Sequence, residues 1–158
     1  MKKLALIWLS ICSSLAYAEL PKSVEMELSK EIKAYEKLYQ DKRGKKIYGY
    51  VNQKIIGNMA EKVGMPEVLK SMELLLVNLI KNRQVSLQMD LPDAQTGISP
   101  SGIAYAIIPY VMNIDGNPVK EKMLAIKDGK MWTFSRFNSD NPLMKKAIQD
   151  VYPDLELP

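Results

Sequence analysis

The sequence predicts an α+β fold, in which N-terminal helices pack on a curved, four-stranded antiparallel meander that a short C-terminal helix follows. Apolar residues recur every three or four positions through the first half of the chain, and near Arg83 this period changes to two. Asp115-Gly116 and Asp128-Gly129 then indicate two hairpin turns, thirteen residues apart. Helices followed by antiparallel strands are typical of the α+β class.

Three amphipathic helices are expected before the strands. Apolar spacing predicts the first over residues 19–41 and the second over residues 46–63, with Gly44 and Gly64 as their C-terminal stops. The third begins with Pro66 in its first turn, where the missing N–H costs nothing. Because apolar residues surround most of the third helix, we expect it to be the most buried of the three.

Alternating apolar and polar residues predict the first strand over residues 85–91, and an irregular loop follows over residues 92–102. Residues 103–114 are apolar on both faces, so that strand should be covered on both sides, with Pro109 marking a bulge or a break in pairing. Two further strands are expected near residues 118–126 and 130–137. Asn141 before Pro142 predicts the start of the last helix.

Composition excludes several kinds of active site. Of 158 residues, 47% are apolar and 25% are charged, which is typical of a folded globular domain. The chain has no histidine, and its one cysteine, Cys12, lies in the probable leader. Ser-His-Asp and Cys-His sites, zinc sites built on His or Cys, and iron–sulfur clusters all need groups that residues 19–158 lack. We therefore expect no cofactor and no metal.

Residues 1–18 have the three parts of a secretory signal peptide. Lys2 and Lys3 precede an apolar stretch over residues 4–11, and Ala16-Tyr17-Ala18 suits signal peptidase. The alternative, a membrane anchor, needs about 20 apolar residues. Ile11 before Cys12 argues against lipoprotein anchoring. We expect cleavage after Ala18, export to a Gram-negative periplasm, and one α+β domain over residues 19–158.

The charge of the chain is nearly balanced once the leader is removed. The whole sequence carries 22 basic and 18 acidic residues, and loss of Lys2 and Lys3 leaves 20 against 18, a net charge of about +2. Nucleic-acid-binding domains usually carry a stronger basic footprint, so none is expected as a partner. One local basic patch stands out, formed by Lys42, Arg43, Lys45 and Lys46. It is either a solvated turn or a docking patch for anionic lipid, polysaccharide or an acidic protein face.

Three short segments resemble small exported domains of the NTF2-like and cystatin-like kind. They are Tyr105-Ala106-Ile107-Ile108-Pro109, Asp128-Gly129-Lys130-Met131-Trp132-Thr133-Phe134 and Tyr152-Pro153-Asp154-Leu155. The resemblance covers residues 66–155 and implies a concave sheet face closed by helices, often a pocket or a dimer surface. The acid pair or Asp-His dyad of such pockets has no histidine to match here.

An aromatic cluster on the strands is the candidate binding site. Trp132, Phe134 and Arg136 share one face of the last strand, and Tyr105 and Tyr110 lie on the strand that is apolar on both faces. These five residues either fill the core or line a pocket for an apolar or amphipathic ligand, with Arg136 at its mouth to hold an anionic end.

Other chemistry has weaker support. Asp90 and Asp93 flank Pro92 at the start of the long loop, and two neighbouring carboxylates can act as acid and base. Acids at a strand end are more often solvated or capping groups. Nine methionines follow the leader; they form either an adaptable binding surface or core filling, and core filling is preferred.

These observations favour a non-enzymatic periplasmic binding or accessory protein, monomeric or homodimeric, that holds an apolar or amphipathic ligand or an envelope partner in a hollow of the sheet. One alternative is a histidine-free hydrolase or isomerase that uses Asp90, Asp93 or a tyrosine in the same hollow. Another is a homodimeric interaction module that buries the sheet face at a two-fold axis.

Overall fold

The computed structural model describes residues 19–158; the leader predicted over residues 1–18, with Cys12, lies outside them. The helices and strands follow in the order α1 (Lys22–Gln40), α2 (Gly44–Gly49), α3 (Gln53–Lys62), α4 (Val68–Asn82), β1 (Val85–Met89), β2 (Gln95–Ile98), β3 (Ala104–Ile114), β4 (Asn117–Asp128), β5 (Met131–Phe137) and α5 (Pro142–Val151). The α+β class is confirmed. The strands form one curled antiparallel sheet.

The long strand β3 organises the sheet. It pairs with β4 along one edge, and β4 pairs in turn with β5. Along the other edge, β1 pairs with the second half of β3 and β2 pairs with its first half. Residues 92–102, predicted as an irregular loop, therefore contain a fifth strand. The prediction missed β2 because its four residues have no alternating pattern: they pair with β3 and bury only Gly97.

Pro109 separates the β1 and β2 segments. Its pairing with Lys122 of β4 is unbroken, whereas on the other edge β1 ends with Met89 opposite Tyr110 and β2 begins with Gln95 opposite Ile107. The carbonyl of Pro109 accepts a hydrogen bond from the amide of Asp90 at 2.8 Å. The nitrogen of Pro109 faces the same edge, so the residue without an N–H stands where pairing passes from one strand to the next.

The first half of β3 is covered on both faces, as the sequence predicts. Ala106 and Ile108 pack under α1, while Tyr105 and Ile107 pack against α5 and the C-terminal segment around Leu155.

The predicted turn Asp115-Gly116 is confirmed by positive φ angles of 50° and 82°. The predicted start of the last helix is also confirmed, since the Asn141 side chain accepts a hydrogen bond from the amide of Met144.

The second predicted helix is wrong, because the chain leaves the helical path between α2 and α3. The carbonyl of Tyr50 accepts a hydrogen bond from the amide of Phe134 at 2.6 Å, and the amide of Asn52 donates to the Ser135 hydroxyl at 3.3 Å. The side chain of Asn52 then caps α3 by accepting from the amide of Ile55. The break thus covers the outer edge of β5, which would otherwise present unpaired backbone groups.

Gly44 has a different role from the predicted helix stop. Lys42, at φ 54°, ends α1, while Gly44 is buried as the first residue of α2. A Cβ on Gly44 would lie 2.9 Å from the Cα of Val77, so glycine allows α2 to approach α4 closely. Gly64, at φ 67°, ends α3 as predicted: its amide donates to the carbonyl of Glu61 and that of Met65 donates to Ala60, a Schellman motif.

The expectation that the third helix is the most buried is also wrong. In the corresponding helix, α4, only Ile80 is buried, while Leu74 and Leu75 are 65% and 69% exposed. The main contacts of α4 are with α2 and α3, and the sheet is not among its major partners.

Within residues 19–158, no helix has the length and hydropathy that crossing a bilayer requires.

Candidate ligand-binding cavity

A cavity of about 690 Å³ lies between the helices and the part of the sheet formed by the second half of β3, the first half of β4 and β5. Helix α4, which packs mainly on α2 and α3, forms its outer wall with Val68, Met72 and Leu76. Most of the lining side chains are apolar. They come from all five helices, β3, β4 and β5 and include Ile56, Met59, Ala60, Val68, Met72, Leu76, Met112, Ile114 and Met123.

Tyr35 and Tyr39 line the inner side of the cavity from α1. Their rings meet edge to face because the two residues are four positions apart on one helix, and the centroid of the Tyr35 ring also lies 4.7 Å from that of Phe134. Their hydroxyls are 3.2 Å apart and form a hydrogen bond. Burial raises the pKa of both tyrosines. Both side chains are therefore neutral at physiological pH.

The tyrosine pair has one hydrogen-bond donor to spare. A single bond between two hydroxyls uses one of their two O–H protons. Within residues 19–158 this bond is the only one that either hydroxyl makes. The second proton can be donated to an acceptor that enters the cavity, which gives the apolar inner side a polar contact.

Glu121 joins the other polar groups of the cavity. It accepts a hydrogen bond from the Tyr110 hydroxyl at 2.8 Å and forms an ion pair with Arg136. Burial, with the hydrogen bond and the charge of Glu121, raises the pKa of Tyr110 well above its ordinary value. Glu121 and Arg136 are the charged residues of the lining within the described part of the chain, so their charges cancel.

Methionines supply much of the lining, namely Met59, Met72, Met112, Met123 and Met144. The unbranched, polarisable side chain of methionine adapts to ligands of different shape. The preferred prediction for the methionines, core filling, does not describe these five, which line the cavity as the alternative of an adaptable surface would have them. Their wide spacing along the chain concealed the grouping, because five different elements contribute one methionine each.

Three of the five predicted ligand-binding residues, Tyr110, Phe134 and Arg136, line the cavity. Tyr105 lies on the opposite face of the sheet, where its ring covers Gly97 and its hydroxyl donates to the carbonyl of Glu156 at 3.1 Å. Trp132 is buried in the core that includes α1 and does not belong to the lining. Alternation along β3 separates Tyr105 from Tyr110, since odd and even positions face opposite sides.

Tyr35, Tyr39 and Glu121 line the cavity but are not among the five residues predicted for this site. Tyr35 and Tyr39 continue the three- and four-residue apolar spacing of the first helix, which is typical of a core-facing surface. Glu121 lies directly opposite Tyr110 in the β3–β4 register. That pairing follows from the Asp115-Gly116 turn, so counting back along the hairpin from the turn was the signal that could have found it.

The candidate catalytic carboxylates lie elsewhere. Asp90 lines a second, shallower pocket over β1, β3 and β4, and Asp93 lines neither pocket. Glu121 is the carboxylate of the main cavity among the described residues, and it is held by Tyr110 and Arg136. No three acidic side chains of residues 19–158 converge as a metal site.

The predicted basic patch lies at the end of α1 and the start of α2. Lys42, Arg43, Lys45 and Lys46 are exposed, and none of them forms an ion pair within the described part of the chain. The charge of Lys42 acts on Asp115 and helps to lower the pKa of that carboxyl, after the stronger effects of the Gln84 amide and Arg83. The patch does not line the cavity.

Comparisons with family models, with curated proteins and with solved structures gave no match to this chain.

Proposed function

We propose that this chain is a non-enzymatic binding protein that holds one amphipathic molecule, a hydrocarbon chain with a carboxylate end, in the cavity between α4 and the sheet. The observation that carries the proposal is a cavity of about 690 Å³ whose lining is mostly apolar but includes four tyrosines, Ser135 and the ion pair of Arg136 with Glu121. Ligand sites commonly occupy 300 to 1,000 Å³ and combine an apolar wall with a few polar groups. The leader predicted over residues 1–18 supports a periplasmic location.

The volume sets the size of the ligand. At roughly 30 Å³ for each water-sized group, about 690 Å³ accommodates on the order of twenty non-hydrogen atoms. A long-chain fatty acid has this size. The methionine-rich wall suits a flexible chain because it can adjust to bends and to different chain lengths.

The position of Arg136 favours binding of the ligand's carboxylate end at the entrance of the cavity. Its side chain is 66% exposed, so a bound carboxylate can stay partly solvated while the chain enters the cavity. The guanidinium has five N–H donors, and the bond to Glu121 in this structure uses only one of its nitrogens. The remaining donors can bind a carboxylate beside Glu121.

The proposal is tested by titrating the purified protein with palmitate and, in parallel, with hexadecanol, followed by calorimetry. Arg136→Gln should weaken the binding of palmitate about tenfold to a hundredfold, which corresponds to the loss of one charge-assisted hydrogen bond. The affinity for hexadecanol, which has no carboxylate, should change little. Equal losses for both ligands would show that Arg136 does not hold the carboxylate.

A pair of neighbouring leucines provides the control for the cavity itself. Leu76 lines it, whereas Leu75 points outward from the same helix. Leu76→Glu should abolish binding of both ligands, and Leu75→Glu should leave it unchanged, with circular dichroism confirming that both variants fold. Binding that survives Leu76→Glu, or a parent protein that binds neither ligand, would refute the proposed function.

A further inference from the structure

The outer surface of α4 is apolar where no part of the described chain covers it. Leu74 and Leu75 are largely exposed there, and Met65, just before the helix, is about half exposed. The inner surface of the same helix contributes Met72 and Leu76 to the cavity wall. One helix therefore separates the cavity from an exposed apolar surface.

Basic residues surround this surface. Lys70 and Lys81 are exposed on α4 at positions four before and seven after Leu74, which places all three on one side of the helix. Helix α2 lies against α4, because Gly44 packs on Val77 and the Tyr48 hydroxyl donates to the carbonyl of Leu69 at 3.0 Å.

This packing brings the basic patch next to α4. Lys42, Arg43, Lys45 and Lys46 precede or begin α2 and, like Lys70 and Lys81, form no ion pair within the described residues. The acids next to these basic residues in the chain are Asp41, Glu67 and Glu73, while Asp115, on which the charge of Lys42 acts, is already paired with Arg83. The surface therefore carries six basic residues without an ion-pair partner against three such acidic residues. We call these residues, with Leu74 and Leu75, the α2–α4 face.

We propose that the α2–α4 face docks on an anionic phospholipid bilayer, with Leu74 and Leu75 inserted at the interface and the six basic residues on the headgroups. Exposed leucines flanked by lysines are typical of helices that lie in the membrane interface. The proposal has a second part, which rests on the proposed function. While the protein is docked, the ligand passes between the bilayer and the cavity across α4, a distance of one helix diameter, roughly 10 Å.

The test measures co-sedimentation of the full protein with vesicles of equimolar phosphatidylglycerol and phosphatidylcholine, against vesicles of phosphatidylcholine alone. We expect binding only to the anionic vesicles, reduced by raising the salt concentration. Replacing Lys45 and Lys46 together by Gln should weaken binding about tenfold or more, since each basic residue near such a surface contributes about fivefold. The same change at Lys33 and Lys37, exposed on α1, is the matched control and should have less than half of that effect on a logarithmic scale.

The leucines are tested by Leu74→Gln with Leu75→Gln, against Met26→Gln, where an equally exposed apolar side chain lies on α1. Only the leucine variant should lose vesicle binding. Palmitate titration of that variant in buffer should match the parent, which separates the two proposals. If the parent binds palmitate but ignores anionic vesicles, or if both variants bind vesicles alike, the docking proposal is overturned and the proposed function stands.

Discussion

Asn52 shows how one side chain joins a helix to the sheet. It is almost completely buried, and its amide group makes three hydrogen bonds: the oxygen accepts from the amide of Ile55, and the nitrogen donates to the hydroxyls of Thr133 and Tyr152, both at 2.9 Å. A buried polar group is costly unless it is satisfied in this way. Asn52 therefore fixes the position of α3, which in turn supplies one side of the cavity.

Asp128 extends this network to the surface and makes stability depend on pH. It accepts hydrogen bonds from Lys54 at 2.6 Å and from the Tyr152 hydroxyl at 3.1 Å. The bond to Lys54 is the main cause that lowers the pKa of Asp128, against the opposing effect of burial. A carboxyl whose pKa is lower in the folded state stabilises the fold above its unfolded pKa of about 3.9 and loses that contribution as the pH falls.

We predict that Asp128→Asn lowers the free energy of unfolding at neutral pH and has no effect in strong acid. The difference between parent and variant should begin to close as the pH approaches the unfolded pKa of about 3.9, and it should vanish once the pH lies below the lowered pKa of the folded carboxyl, which is then protonated in the parent. Urea denaturation across this range measures it. A difference that stays constant with pH would mean that the charge of Asp128 contributes nothing.

At the scale of the element, the close approach of α2 to α4 depends on Gly44. We predict that Gly44→Ala lowers the free energy of unfolding by about 1 to 3 kcal/mol, since its methyl group would meet the backbone of Val77 and force the helices apart. The loss should also weaken ligand binding, because α4 forms the outer wall of the cavity.

Gly57 of α3 provides the matched control. A Cβ there meets nothing within 4 Å, so Gly57→Ala should raise the free energy of unfolding by roughly 0.5 to 1 kcal/mol through helix propensity alone. Both values come from chemical denaturation. Equal effects of the two substitutions would contradict the role assigned to Gly44.

At the scale of the whole molecule, the helices around the cavity differ in how many residues they bury. Helix α1 buries Leu28, Ile32, Tyr35 and Tyr39, and α5 buries Ala147 and Ile148, whereas α4 buries Ile80 alone. Segments with few buried apolar contacts open at lower free energy than the rest of a protein. We therefore expect α4, the outer wall of the cavity, to open at lower free energy than α1 or α5.

We predict that backbone amides of α4 exchange with solvent faster than those of β3 and of α5, and that palmitate slows exchange in α4 selectively. Hydrogen-exchange mass spectrometry of peptides within residues 68–82, 104–114 and 142–151 measures this, with α5 as the surface-helix control. Uniform protection across the three segments, unchanged by ligand, would show that α4 is not the opening side.

The sequence by itself determined the elements and the boundaries that local chemistry sets. The change of period near Arg83, the Asp-Gly turns and Asn141 before Pro142 each act over a few residues, and the structure confirms them. Alternation along the last strand puts Phe134 and Arg136 on one face, and both line the cavity together with Tyr110 of β3. Local patterns decide these features because they depend on neighbours close in the chain.

Only the tertiary structure decided which apolar surfaces are covered. The break at Tyr50–Asn52 follows from the edge of β5, more than eighty residues away in the chain, and β2 forms because β3 offers it an edge. The apolar circumference of α4 could not show whether the helix would be buried within a core or stand between a cavity and an exposed face. Hydrophobic burial has no direction of its own, so the packing of α2 and α3 determines where that helix lies and what space remains beneath it.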